Sequence, residues 1–349
     1  MKELRSSEPL GPAKEALNRI ETSLGLSSTA GQVAEGIAPP FVRHFGGRRF
    51  YNPNSSQPPG LFDALRWKLT SRGEPSPRFA SDVGQSIPPR LVEGGELQAT
   101  LVNHSTVLLQ QRTSHILTDP IWSERASPLS WIGPRRRRSP GVRREDLPRI
   151  NIVLLSHNHH DHLDLQTLRW LAGRGDAVFI VPIGVAELLR SERIGPVYEL
   201  DWGEARQVDT TTVHCVPTLH FAGRGIFDRN RTLWCGYVIQ SQNRTIYFAG
   251  DTAFGNHFRQ IRERFGSPCV SLLPVGAYEP RWFMSPIHMA PEEAVRAHEI
   301  LGSGTSIAIH HGTFQLGDDG IDTAKRQLLA SSKPDSFLIL ENGKSIGID

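Results

Sequence analysis

From residue 96 to the end, the sequence predicts an α/β fold of two β-sheets flanked by helices, preceded by an extension. Two observations carry this reading. Short apolar runs with strand chemistry recur along this stretch, each followed by a polar or glycine-rich loop. The strands come first as a group and then alternate with amphipathic helices, which is the pattern of layered sheets with helices outside. A length of 349 residues leaves room for one large domain and an extension, or for two domains.

Residues 1–95 are read as the extension and residues 96–349 as the main domain. Met1 to Ile20 interleaves Lys2, Glu3, Arg5, Glu8, Lys14 and Glu15 with a few apolar residues and lacks the apolar centre of a secretion signal. No run of 18 apolar residues occurs anywhere, so the expectation is a soluble, cytoplasmic protein without a membrane-spanning helix. Pro39-Pro40, Pro58-Pro59-Gly60 and Pro88-Pro89 punctuate the extension, and only Leu61 to Leu69 reads as a short helix. Its aromatic residues Phe41, Phe45, Phe50, Tyr51, Phe62 and Trp67 suit packing against the main domain.

In the main domain, strands are expected at Glu96 to Val102, Thr106 to Gln110, His115 to Thr118, Ile152 to Leu155 and Val178 to Val181. Further strands are expected at Thr211 to Pro217, Cys235 to Gln240, Thr245 to Ala249, Val270 to Pro274 and Ser306 to Ile309. Leu165, Leu168 and Ala172 share one helical face behind an Asp164 N-cap, and Phe258, Ile261 and Phe265 form another face closed by Gly266. Pro291 followed by Glu292 and Glu293 opens a third helix, where proline and early acids suit the unpaired N–H groups.

Cys215, Cys235 and Cys269 are too few and too scattered for a disulfide framework, and are read as small buried side chains in a reducing compartment. The formal net charge of +3 argues against a whole-molecule polyanion binder. The run Arg135 to Arg138, with Arg143, Arg144 and Arg149 behind it, is read either as a solvated loop or as a face for phosphate-rich material.

The chemistry concentrates at strand ends. Ile152 to Leu155 leads straight into Ser156-His157-Asn158-His159-His160-Asp161-His162, where His-x-His-x-Asp-His places three imidazoles and a carboxylate within six residues. Zinc and similar borderline metals prefer these ligands. Three more strands end the same way: Thr211 to Pro217 at His220, Thr245 to Ala249 at Asp251, and Ser306 to Ile309 at His310. Any one of these alone would more often be a core histidine or a turn aspartate. Strands of one sheet bring their ends to one edge, so the four together point to a metal centre.

This ordered set resembles the signature of the metallo-β-lactamase superfamily from about residue 96 to the end. The resemblance implies a four-layer αββα sandwich with two Zn2+ ions at one edge of the sheets. It further implies that His157, His159 and His220 hold one metal, Asp161, His162 and His310 the other, and that Asp251 bridges them. His311 competes with His310, which is preferred because it immediately ends its strand. His160 fills the variable position of the motif. Asp119, Asp164 and Glu279 stand unranked as carboxylates behind the ligands.

A narrower resemblance covers most of the chain. His44 to Pro53, Asn103-His104-Ser105-Thr106, Thr118-Asp119-Pro120-Ile121, Ser123 to Pro128 and Pro274 to Met284 are similar to N-acylphosphatidylethanolamine-hydrolysing phospholipases D and their bacterial relatives. This resemblance implies a zinc-dependent phosphodiesterase that releases N-acylethanolamine and phosphatidic acid, with Asp161 aiming the attacking water and Asp251 holding the metals together. The alternative is a hydrolase of the same fold acting on a lactone, an amide or a soluble phosphodiester. His288 matches a family histidine near the substrate. Tyr278, Arg281, Trp282, Phe283 and Met284 would line an acyl-chain channel or simply pack a loop. The expected partners are a phospholipid substrate and an anionic membrane touched peripherally on its inner face; a homodimer is allowed and no nucleic acid is expected.

Overall fold

The computed structural model describes residues 44–348 except 54, 56, 81–83, 93–95, 113 and 226. The expectations for Met1 to Ile20, Pro39-Pro40 and Phe41 lie outside the described residues.

Among the described residues, the first helix is α1 (Leu61–Thr70). It is followed by β1 (Leu97–Asn103), β2 (Thr106–Gln111), β3 (Ser114–Thr118), β4 (Ile152–Leu154), α2 (Leu165–Gly173), β5 (Val178–Pro182), α3 (Ala186–Ser191) and β6 (Val197–Leu200). The second half runs β7 (Ala205–Val208), β8 (Thr211–Val216), β9 (Gly236–Ser241), β10 (Arg244–Phe248), α4 (His257–Phe265), β11 (Val270–Pro274), α5 (Arg281–Met284) and α6 (Pro291–Leu301). It closes with β12 (Thr305–Ile309), α7 (Thr323–Ala330), β13 (Phe337–Leu338) and β14 (Ser345–Ile348).

Among the described residues, two sheets of seven strands form, ordered β14-β1-β2-β3-β4-β5-β6 and β13-β12-β11-β10-β9-β8-β7. Because side chains alternate along a strand, a central strand serves two cores at once. Ile152 and Leu154 of β4 join Tyr237, Ile239, Phe248 and Leu272 of the other sheet in the core between the sheets. Val153 and Leu155 turn the other way, onto Leu168 and Leu171 of α2 and Leu189 of α3. On the second sheet, Tyr247 and Leu273 meet Phe258 and Ile261 of α4 and Ala294 and Ala297 of α6. The result is the expected αββα sandwich. Burial on both faces explains why these strands read as nearly continuous apolar runs. Cys215 and Cys235 sit in the core between the sheets as free thiols.

The helix boundaries follow their capping chemistry. Asp164 accepts from Gln166 N at 3.2 Å at the start of α2, and Gly266 ends α4 at φ +77°. Pro291 opens α6, Glu293 Oε2 accepts from Ala290 N at 2.8 Å, and Gly302 closes the helix at φ +61°. Of the extension, Phe50 reaches the core between the sheets. Asn52 is buried, donating to His220 O at 2.8 Å and accepting from Trp234 Nε1 at 3.1 Å.

The arginine run is largely turned inward. Arg136 is buried and donates to Asn103 Oδ1 (3.0 Å), Ile121 O (3.1 Å) and Ser123 O (3.2 Å). Arg138 donates to Gly312 O at 2.9 Å and pairs with Asp322 at 3.0 Å. Arg136 and Arg138 thus serve the fold, which leaves Arg135 and Arg137 as the more accessible members of the run.

Candidate metal centre

Five segments bring polar side chains to one edge of the two sheets. The loop after β4 carries His157, His159, Asp161 and His162, and the β1–β2 turn carries His104. His220, Asp251 and His310 follow β8, β10 and β12. Parallel neighbours β10, β11 and β12 necessarily point the same way, which places Asp251 and His310 side by side. The turns are tight. A Cβ on Gly250 would lie 2.6 Å from Ser156 Cβ, and one on Gly276 would lie 2.1 Å from His310 O. His104, Asp119, Ala277 and His310 hold positive φ angles of 47°, 32°, 58° and 59°. Such left-handed non-glycine residues are costly and cluster where a site demands them.

Two groups of donor atoms result. In the first, His157 Nε2 lies 2.8 Å from His159 Nδ1, which lies 3.3 Å from His220 Nε2. In the second, Asp161 Oδ2 is 3.1 Å from His104 Nε2, 3.2 Å from His162 Nε2 and 3.3 Å from His310 Nε2. Asp251 Oδ2 stands between them, 3.1 Å from both His162 Nε2 and His310 Nε2 and 3.8 Å from His220 Nε2.

The hydrogen bonds behind these rings decide which nitrogens face inward. Ser156 Oγ donates to Asp119 Oδ2 at 2.6 Å, so it can only accept from His157 Nδ1–H, 2.9 Å away. His162 Nδ1–H donates to Asp119 Oδ2 at 2.6 Å, and His220 Nδ1–H to Ile287 O at 2.9 Å. All three imidazoles are thereby held with Nε2 facing into the centre. Burial opposes a proton on His162, but the Asp251, Asp161 and Asp119 carboxylates outweigh it and raise the ring well above its ordinary range, so a cation bound there would take the place of its Nε2 proton. His162 Nε2 and Asp251 Oδ1 are buried without a hydrogen-bond partner. Converging ring nitrogens and orphaned buried ligand atoms fit a bound cation, and six nitrogens with two carboxylates fit borderline metals such as zinc.

Charge adds to the picture. Burial pushes His159 to about 3 and His220 to about 4, and holds His157 well below its ordinary range, so these rings are neutral and ready to ligate. Burial would also depress His310, but the Asp251 carboxylate and then the Asp161 and Asp251 hydrogen bonds outweigh it and lift the ring to about 9. Burial opposes ionisation of Asp161 and Asp251, yet His162 and the surrounding rings hold both well below the usual carboxylate range. In the metal-free state a proton on His310 does part of what a cation would do.

The structure therefore brings together all seven residues expected as ligands, and adds one. His104 belongs with Asp161, His162 and His310. The strand-end pattern contained the signal, because Glu96 to Val102 leads to His104 just as the other strands lead to their ligands. His311 stays outside these groups and His310 inside. His160 Nε2 meets Arg224 O at 3.1 Å instead. Of the three carboxylates considered as backing, Asp119 takes that place. Asp164 caps α2 and holds Ser123, and Glu279 accepts from Arg281 N.

The β-lactamase superfamily domain matches residues 114–311. The chain belongs to the metallo-β-lactamase superfamily. It is 40% identical over 283 residues to an uncharacterized protein of Mycobacterium tuberculosis, covering 78% of this chain and 74% of that one. It is 38% identical over 232 residues to N-acyl-phosphatidylethanolamine-hydrolyzing phospholipase D 1 of Caenorhabditis elegans, covering 63% of this chain and 65% of that one. Among solved structures, isothiocyanate hydrolase from Delia radicum gut bacteria superposes with a TM-score of 0.57 at 22% identity over 72% of this chain and 99% of that one, which shows the fold alone.

Within this metallo-β-lactamase fold, the residues expected to meet substrate divide into three kinds. His288 is buried in the centre itself: it forms a donor group with His220 and Asp251, and its Nδ1 has no hydrogen-bond partner. Phe283 and Met284 form an apolar cluster with Ile287, against which Phe221, Ala64 and Trp67 pack. Phe221 in turn lies on His159 at 4.5 Å between ring centroids, so this cluster borders the metal centre. Tyr278 is buried, Trp282 is partly exposed, and Arg281 is engaged with Glu293 at 2.8 Å and with His288 O at 3.2 Å. Arg281 thus braces the His288 loop rather than standing free in a channel.

Proposed function

We propose that this metallo-β-lactamase-fold hydrolase is a two-zinc phosphodiesterase of phospholipase D type that converts N-acylphosphatidylethanolamine to N-acylethanolamine and phosphatidic acid. The observation that carries the reading is the pair of donor groups meeting at Asp251, bordered by the Phe221, Phe283, Met284 and Ile287 cluster. The name of the Caenorhabditis elegans relative supports the substrate class.

His157, His159 and His220 would hold one metal and His104, Asp161, His162 and His310 the other, with Asp251 shared. Two cations held there would lower the pKa of water and offset negative charge on phosphate. The protein's own groups do the rest. Ser156 and Asp119 keep His157 and His162 in the ligating tautomer. Burial keeps His288 neutral, so its ring can meet a phosphate oxygen or the N-acyl amide as a hydrogen-bond partner without adding charge. The apolar cluster excludes water from one side of the centre and offers a surface to acyl chains.

The test is mass-spectrometric product analysis after zinc-loaded protein meets N-acylphosphatidylethanolamine in mixed micelles, with Asp251→Asn in parallel. Release of N-acylethanolamine and phosphatidic acid by the wild type alone is expected. No release from protein that holds two metals per chain would move the substrate to a lactone, an amide or a soluble phosphodiester.

A further inference from the structure

Helix α1 has no buried residue. Leu61, Phe62, Leu65 and Leu69 are exposed at 71%, 88%, 57% and 78%. Their spacing of i, i+1, i+4 and i+8 places all four on one helical face. Arg66 and Lys68 fall on the two edges of that stripe by the same periodicity. Ala64 and Trp67 occupy the opposite face and seat the helix. Trp67 stacks on Phe283 at 4.9 Å between centroids and donates to Asp318 Oδ1 at 2.9 Å, and the Arg66 guanidinium lies 4.7 Å over the Trp282 ring. Lys68 Nζ likewise lies 4.6 Å over the Trp67 ring, so the helix is anchored by one face and presents an apolar stripe on the other, with both cations resting on aromatic rings along its edges.

From the geometry of this helix we infer that α1 is an interfacial element that lies in the surface of an anionic bilayer. Leu61, Phe62, Leu65 and Leu69 enter the acyl boundary and Arg66 and Lys68 reach the headgroup phosphates. An apolar stripe edged by cations matches such a surface in both polarity and charge, since long basic side chains run along apolar surface and keep their charge at the headgroups. A second copy of this chain would match the apolar stripe but set Arg66 and Lys68 against like charges. The inward face of α1 touches Phe283, and the same cluster includes Phe221 beside His159. Docking by this helix therefore sets the apolar border of the metal centre close to the membrane. The inference deepens the proposed function by naming the surface that meets the lipid phase, while the docking itself needs no catalysis.

The experiment is sedimentation of the full chain with sucrose-loaded vesicles, either pure phosphatidylcholine or phosphatidylcholine with phosphatidylglycerol, neither of which contains an N-acylated lipid. Binding to the anionic vesicles, at least about tenfold weaker on neutral ones, is expected. Combined Leu61→Ser, Phe62→Ser, Leu65→Ser and Leu69→Ser should lower binding to anionic vesicles at least about tenfold, with metal content and thermal midpoint unchanged. Arg66→Gln with Lys68→Gln should remove most of the preference for anionic lipid. Equal vesicle binding by wild type and the four-serine variant would overturn the inference. So would an absence of vesicle binding combined with a wild-type dimer that the serine variant dissociates, which would assign the stripe to a second copy. Failure to hydrolyse N-acylphosphatidylethanolamine by protein that still docks would count against the substrate and leave the surface standing.

Discussion

Asp119 holds His162 from behind, its Oδ2 accepting from Nδ1 at 2.6 Å while its Oδ1 accepts from Ser156 N at 2.7 Å. Burial raises the affinity of this carboxyl for a proton, and the neighbouring His162 counteracts that. Asp119→Asn keeps the volume but loses the charge that orients the ring. Metal affinity is expected to fall about 10- to 100-fold, measured by competition with a chelator. Unchanged affinity would show that Asp119 acts only as a scaffold for Ser156.

His310 and His311 are adjacent, yet only His310 points at Asp161 and Asp251. His310→Ala should reduce bound metal from about two ions per chain to about one, while His311→Ala should retain both, measured by elemental analysis after gel filtration. The reverse pattern would move the ligand assignment by one residue.

Arg136 fastens the loop after β3 to the β1–β2 turn that carries His104, through Asn103 Oδ1 and two carbonyls, with Phe314 5.0 Å away on its face. Burial lowers its pKa to about 10, so it remains charged at neutral pH. Arg136→Ala strands those acceptors and opens a void, which should cost about 2–4 kcal/mol in urea unfolding. Arg135→Ala, on a more exposed side chain, should stay within about 0.5 kcal/mol. Equal effects would show that the run is a solvated loop.

His257 opens α4 outside the metal centre, and burial alone drives its pKa down to about 3. In the folded protein it stays neutral while the unfolded chain takes a proton below about pH 6.5. Its contribution therefore costs nothing at pH 8, destabilises progressively as pH falls below 6.5, and levels off near 3. At pH 5 the penalty is about 2 kcal/mol. His257→Gln lacks this ionisation, so the stability gap between wild type and variant should shift by about that amount in the variant's favour between pH 8 and pH 5, in chelator. A gap independent of pH would refute the assignment.

Strands buried on both faces, such as β4 and β11, were legible because their apolar runs are bounded by turn residues and too short for a helix. The edge strands β6, β7, β13 and β14 were not. Their residues are mostly half-exposed, so neither alternation nor a continuous run marks them, and β14 exists only because β1 offers it a distant partner. Helices α3, α5 and α7 span eight residues or fewer, too short for periodicity to separate them from loops. At the site, ligands at strand ends were visible from their order. His104 was passed over because it sits in a two-residue hairpin turn, where histidine is easily read as a turn residue. The inward turn of Arg136 could not be seen either, since two of its partners are backbone carbonyls that carry no sequence signal and the third, Asn103 Oδ1, is distant in the chain.

The pairing of β1 with β14, Leu97 opposite Ile348, has a consequence for biosynthesis. The other sheet is closed in the same way by β13 against β12. Both sheets thus wait for strands that leave the ribosome after all the metal-competent residues have emerged. Until then β1 and β12 present bare backbone edges on largely apolar strands, the state most open to intermolecular pairing.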